Sequence, residues 1–141
     1  MKTRIAIAAI VMMMAIQIGA AREPAKRFPT LEKKIEYAKK NWIAALQTEN
    51  EGVIESVMRI VSKFKLQHPA VDVKELKEAF DIISLTNPSG AVRYKAYIAS
   101  SICTDPEWYA QEQRVLTAVE ENFFRVASTR LHQKLISGYS F

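Results

Sequence analysis

Asn87-Pro88-Ser89-Gly90-Ala91-Val92-Arg93-Tyr94-Lys95-Ala96-Tyr97-Ile98-Ala99-Ser100-Ser101-Ile102-Cys103-Thr104-Asp105-Pro106 is the stretch whose reading decides the fold. Asn87 to Gly90 form a turn-and-cap cluster. Thr104-Asp105-Pro106 closes the other end, because proline suits the first turn of a helix and breaks its interior. Between these limits Ala91, Val92, Ala96, Ile98, Ala99 and Ile102 recur at helical spacing. The pattern predicts one helix with a small-residue face on which neighbours can pack closely.

The same signals extend in both directions. Thr30 caps a first helix whose apolar stripe is Leu31, Ile35, Ala38, Trp42, Ala45 and Leu46. Thr48 with Glu51 reads as a capping box opening a second helix, carrying Val53, Ile54, Val57, Met58, Val61 and Phe64 and ended by His68-Pro69. Asp72 with Glu75 opens a third, with Val73, Leu76, Ala79, Phe80 and Ile83 on one face. Beyond the Asn87–Pro106 stretch, Thr104 with Glu107 forms another box, and a last helix is expected from Glu107 towards Leu135 through Tyr109, Leu116, Val119, Phe123, Val126 and Leu131. No segment alternates with a period of two, so the expected class is all-α: antiparallel helical hairpins joined by short links.

At 141 residues the chain suits a single core. Met1 to Ala21 has a basic start (Lys2, Arg4), an apolar run from Ile5 to Ile18, and the small residues Gly19-Ala20-Ala21. This is the pattern of a secretory signal peptide cut after Ala21 or Ala20. The expected organisation is a leader over 1–21, a linker over 22–30, one helical domain over 31–135 and a tail over 136–141. Export to the periplasm or the medium follows; retention of the leader would leave an anchored chain instead. Lys2 and Arg4 supply two units of the formal net charge of +5, which leaves +3 after cleavage. That modest basicity, with lysine and arginine interleaved among glutamates, does not point to nucleic acid. Cys103 is the only cysteine, which excludes an intramolecular disulfide. Its position on the apolar side of the helix predicts a small buried hydrophobe.

Laying the second helix on the fourth aligns Gly52, Ile54, Met58, Ile60 and Val61 with Gly90, Val92, Ala96, Ile98 and Ala99. A proline follows each, with a one-residue slip, so the period is about 37 to 38 residues. Within the second copy, Val92-Arg93-Tyr94-Lys95-Ala96-Tyr97-Ile98-Ala99 after a proline-bearing turn resembles the first helix of a HEAT repeat. The resemblance spans about residues 50–119, with Glu55 standing where Arg93 stands in the other copy. It implies either a short stack of helical hairpins, with the first and last helices as caps, or an irregular helical bundle.

Little in the sequence carries chemistry. His68 and His132 lie in no metal-ligand spacing, and His68 before Pro69 reads as a helix C-terminal residue interacting with the dipole. There is no Gly-x-Ser-x-Gly elbow and no glycine-rich phosphate loop, so neither an enzyme nor a bound cofactor is expected. The alternative is a haem or small-molecule carrier using Met58, the one methionine after the leader, and His132. The favoured candidate is a protein-contact face: Arg59, Lys63 and Lys65 on the second helix beside Arg93, Lys95 and Tyr97 on the fourth, with Tyr94 adding a second aromatic group. Stacked repeats would set these side by side, and the expected partner is a protein of unknown identity.

Overall fold

The computed structural model describes residues 30–118 and 121–138. The leader, most of the linker, Val119 and the last three residues lie outside them. The described residues form seven α-helices and no strand: α1 (Leu31–Leu46), α2 (Glu51–Gln67), α3 (Lys74–Thr86), α4 (Gly90–Thr104), α5 (Pro106–Ala110), α6 (Gln113–Ala118) and α7 (Phe123–Gly138). The protein is an all-α helical bundle. No described helix is long and apolar enough to cross a membrane.

Two expected helix starts agree in detail. Thr30 accepts a hydrogen bond from Lys33 N, and Ser89 accepts one from Val92 N while Asn87 Oδ1 receives Ser89 N. The three capping boxes do not form as expected. Asn50, not Thr48, caps α2 by accepting from Val53 N, while the Thr48 hydroxyl donates backwards to Ala45 O. Asp105, not Thr104, caps α5, and Thr104 donates to Ser100 O. Asp72 accepts from Lys74 N, two residues on, and Val73 occupies the cap position of α3. At α2 and α5 the threonine turned back to a carbonyl of the preceding helix and a residue closer to the first turn took the capping role, whereas at α3 Val73 makes no side-chain cap bond.

α4 is the central element because it is buried on two sides. Val92, Ala96, Ala99 and Cys103 enter a cluster with Ala38, Trp42, Leu46, Ile54, Val57, Met58, Val61, Phe64, Leu76 and Phe80. Ile98 and Ile102 enter another with Leu66, Tyr109, Leu116, Phe123, Ala127 and Leu131. Full burial of each isoleucine contributes about 1.5–3 kcal/mol of hydrophobic stabilisation. Ala96 and Ala99 are completely buried, and their small side chains let neighbouring helices approach closely. α4 packs most extensively on α3, its hairpin partner across the three-residue link, and next on α2. One polar tie reinforces the α3–α4 pair: Ser100 donates to Asp81 Oδ1, while Lys77 Nζ, one turn away on α3 itself, holds Asp81 Oδ2 at 2.7 Å.

The expected single helix from Glu107 to Leu135 is broken into α5, α6 and α7. A continuous helix would separate Trp108 from Arg130 by about 33 Å. Instead Trp108 Nε1 donates to Arg130 O and Arg130 Nε donates to Trp108 O, each at 3.1 Å. The guanidinium also lies 4.1 Å from the Trp108 ring centroid. Tyr109, Leu116, Phe123 and Leu131 can share one cluster only because the chain folds back. A turn at Gln111-Glu112 and another ending at Asn122 do this without proline or glycine, so the sequence offered no strong stop signal there.

Candidate functional site

The expected contact residues divide between two places. On α2, Arg59 is half-buried one turn from both Glu55 and Lys63. The Lys63 ammonium lies 5.8 Å from the Phe123 ring centroid. Lys95 reaches the same side of the molecule: its Nζ pairs with Glu55 at 2.7 Å and lies 5.6 Å from the Phe124 ring. Arg93 and Tyr97 face elsewhere, on the exposed ridge of α4. Residues 93 and 95 are about 200° apart around a helix, so they cannot share a face, whereas 93 and 97 are one turn apart. The single basic strip is thereby corrected to two surfaces.

Lys65 leaves the strip altogether. It is buried, and its ammonium donates to the carbonyls of Pro69 and Val71, both at 2.7 Å. Arg93 also has a structural contact, donating from Nη1 to Asn87 O at 2.7 Å and to Pro88 O at 3.2 Å, which braces the α3–α4 link. Tyr97 remains 48% exposed.

Sequence reading missed the other half of this ridge. Tyr94, 43% exposed, brings its hydroxyl to 2.6 Å from Ser128 Oγ and 3.2 Å from His132 Nε2 on α7. Ser128 and His132 are one helical turn apart, so their shared stripe was visible in the sequence; their meeting with Tyr94 was not. Farther along the α4–α7 seam, Lys134 Nζ pairs with Asp105 Oδ2 at 3.0 Å. The hydrogen bond from Lys134 leads the effects that hold the Asp105 carboxyl below its usual range; burial opposes it, and the bond from Trp108 N and the charge of Lys134 add to the lowering. Beneath the seam the fully buried Tyr109 shares a 2.7 Å hydrogen bond with Ser101 Oγ, and burial pushes its phenol upward.

The remaining candidates sit apart from this surface. Met58 is sealed in the cluster under α4, while His132 is exposed and engaged with Tyr94, so the two do not line one pocket. His68 ends α2 with its ring 5.0 Å from that of Phe64. Burial lowers its pKa, so neutral packing replaces the expected charge–dipole role. The Cys103 thiol is buried and pushed up to about 12, chiefly by desolvation, with Lys65 and Lys77 opposing this. An open cleft of about 350 Å³ between α1 and the start of α3 carries Glu36, Lys39, Lys40, Asp72, Lys74 and Glu75 around Ile43 and Leu76. Its charges alternate in sign and converge on no one ligand type. Among the described residues no three histidine, cysteine or acidic side chains gather as a metal site.

The best-defined surface is therefore the outer side of α4 with the adjoining stripe of α7: two half-exposed tyrosines, an arginine, and a serine and histidine tied to one of the tyrosines. Comparison with known protein families, characterised proteins and solved structures gives no match for this chain.

Proposed function

We propose that this chain is an exported, non-enzymatic helical scaffold that binds a protein partner through the outer ridge of α4. The observation that carries this is the exposure of Tyr94 and Tyr97 on a helix whose other sides are packed into two apolar clusters. Tyrosine and arginine are enriched where proteins meet, and tyrosine supplies contact area at a low entropic cost. An anchor mounted on a rigid helix loses less freedom on binding than one on a loop. Export is supported by the Lys2/Arg4 start, the apolar run and the Gly19-Ala20-Ala21 exit. The 37-to-38-residue period supports a HEAT-like arrangement of the hairpins.

Site-specific photo-crosslinking in the producing cell tests the binding role. A benzophenone amino acid at position 97 is expected to yield a discrete protein adduct, and the same group at Glu78, on the exposed side of α3, is expected to yield none. Equal labelling from both positions, or none from 97, would overturn it. Mass spectrometry of the mature N-terminus tests export; a chain still beginning at Met1 would sink that part.

A further inference from the structure

We infer that the partner presents an acidic, carboxylate-rich protein segment, seated along the α4–α7 seam on Arg93, Tyr94, Tyr97, Arg125 and His132; this rests on the binding role proposed above. The observation behind it is a segregation of charge. α4 and α7 contain no aspartate or glutamate anywhere along their lengths, yet carry Arg93 and Lys95 on one and Arg125, Arg130 and Lys134 on the other. The carboxylates lie on other elements, including Glu32 and Glu36 on α1, Glu55 on α2, Glu75, Glu78 and Asp81 on α3, and Asp105 and Glu121 just before α5 and α7. Lys95 and Lys134 are neutralised by Glu55 and Asp105. Arg93, Arg125 and Arg130 form no ion pair among the described residues.

Two of these arginines stand beside the polar contact between α4 and α7: Arg93 next to Tyr94, and Arg125 one turn before Ser128. Arg125, Ser128 and His132 follow one another at helical spacing on a single stripe of α7. On α4, Arg93 and Tyr97 are one turn apart on the exposed ridge, and the neighbouring Tyr94 joins that helix to the α7 stripe through Ser128 and His132. Arginine presents a planar fork of donors that matches a carboxylate, and a phenol held in place offers a further polar contact. Tyrosines and hydrogen-bonding groups on the seam suit a polar protein segment better than a lipid surface, which would favour an exposed aliphatic stripe.

The test uses the isotope-labelled chain and defined probes: an acetylated decapeptide of alternating glutamate and glycine, its lysine–glycine counterpart, and vesicles containing anionic phospholipid. The glutamate peptide is expected to shift backbone amides around residues 93–97 and 125–132, with loss of the effect in about 0.5 M salt. Charge reversal at both arginines (R93E with R125E) is expected to weaken this at least about ten-fold. Arg125→Glu alone guards against misfolding, since that side chain braces no turn, and it too must weaken binding. No shifts, equal shifts with the lysine peptide, or binding to vesicles alone would overturn the inference. Persistent crosslinks from position 97 without glutamate-peptide binding would reject the acidic partner and leave the binding role standing. Peptide binding without crosslinks would uphold the acidic seam and reject the α4 ridge as the contact made in the cell.

Discussion

Lys65 donates from Nζ to the Val71 carbonyl at 2.7 Å, and to the Pro69 carbonyl at the same distance, so a buried ammonium closes the turn between α2 and α3. The residue is only 9% exposed, and the two carbonyls satisfy donors that burial would otherwise leave unpaired. Lys65→Met keeps the packed stem and removes both bonds. It is expected to destabilise the fold by about 2 kcal/mol, within the range for hydrogen bonds from charged groups. Urea unfolding with an unchanged slope checks this; an unaltered midpoint would show that the bonds contribute nothing.

The Ser101–Tyr109 pair should respond asymmetrically to truncation. Tyr109→Phe removes a hydroxyl and frees the more accessible serine, at a cost of about 1 kcal/mol. Ser101→Ala orphans a fully buried phenol and is expected to cost more, up to about 3 kcal/mol. Thermal unfolding of both single variants and the double variant measures the coupling, and the reverse order would contradict the burial of Tyr109.

His68 governs the pH dependence near neutrality. Its folded pKa lies below the ordinary value of 6.5, so the unfolded chain takes up the proton first. Stability is expected to be full above pH 6.5 and to fall as the pH drops from there towards the folded pKa. His68→Phe, which keeps a ring against Phe64, should flatten that slope. Asp81 and Asp105 act in a lower window: their carboxyls are held below the usual value of 3.8, so their stabilisation is lost as the pH falls below it. Denaturant midpoints measured from pH 8 to pH 3 separate the two windows.

Cys103 is expected to resist thiol reagents in the folded protein. With its thiol pushed up to about 12, the thiolate that reacts is scarce at pH 8. Labelling by a maleimide should be at least about a hundred-fold slower than in denaturant. Equal rates in the two conditions would show that the end of α4 is open.

Ala99 tests whether α4 is as tightly enclosed as its burial indicates. Ala99→Leu adds volume at a position with no exposed surface, and overpacking of this kind costs about 1–3 kcal/mol. Ala91→Leu, on the exposed side of the same helix, is expected to change stability by less than about 0.5 kcal/mol. Similar losses at both positions would point to a helix-wide effect instead of enclosure.

Helix character was legible in the sequence because local spacing encodes it. The limits of α4 followed from Asn87-Pro88-Ser89 and Asp105-Pro106, and the apolar positions Ile54, Val57, Met58, Val61, Phe64, Leu76 and Phe80 were all recognisable as core. Even the separation of Arg93 from Lys95 follows from helix geometry, since a two-residue step carries side chains to nearly opposite sides. The choice of Asn50 over Thr48 as a cap was less accessible, because adjacent polar residues compete for the same backbone groups within fractions of a kcal/mol.

By itself, then, the sequence determined an all-helical chain centred on α4, with its buried face and the burial of Cys103. The tertiary structure decided the breaks that divide the last segment, the diversion of Lys65 into a turn, and the division of the expected basic strip. It also decided the meeting of Tyr94 with Ser128 and His132, thirty-four and thirty-eight residues away. Such outcomes depend on which distant surfaces share a core. Burying Tyr109, Leu116, Phe123 and Leu131 together outweighs the helical continuity that local propensity favours, and a window of neighbouring residues carries no record of that balance.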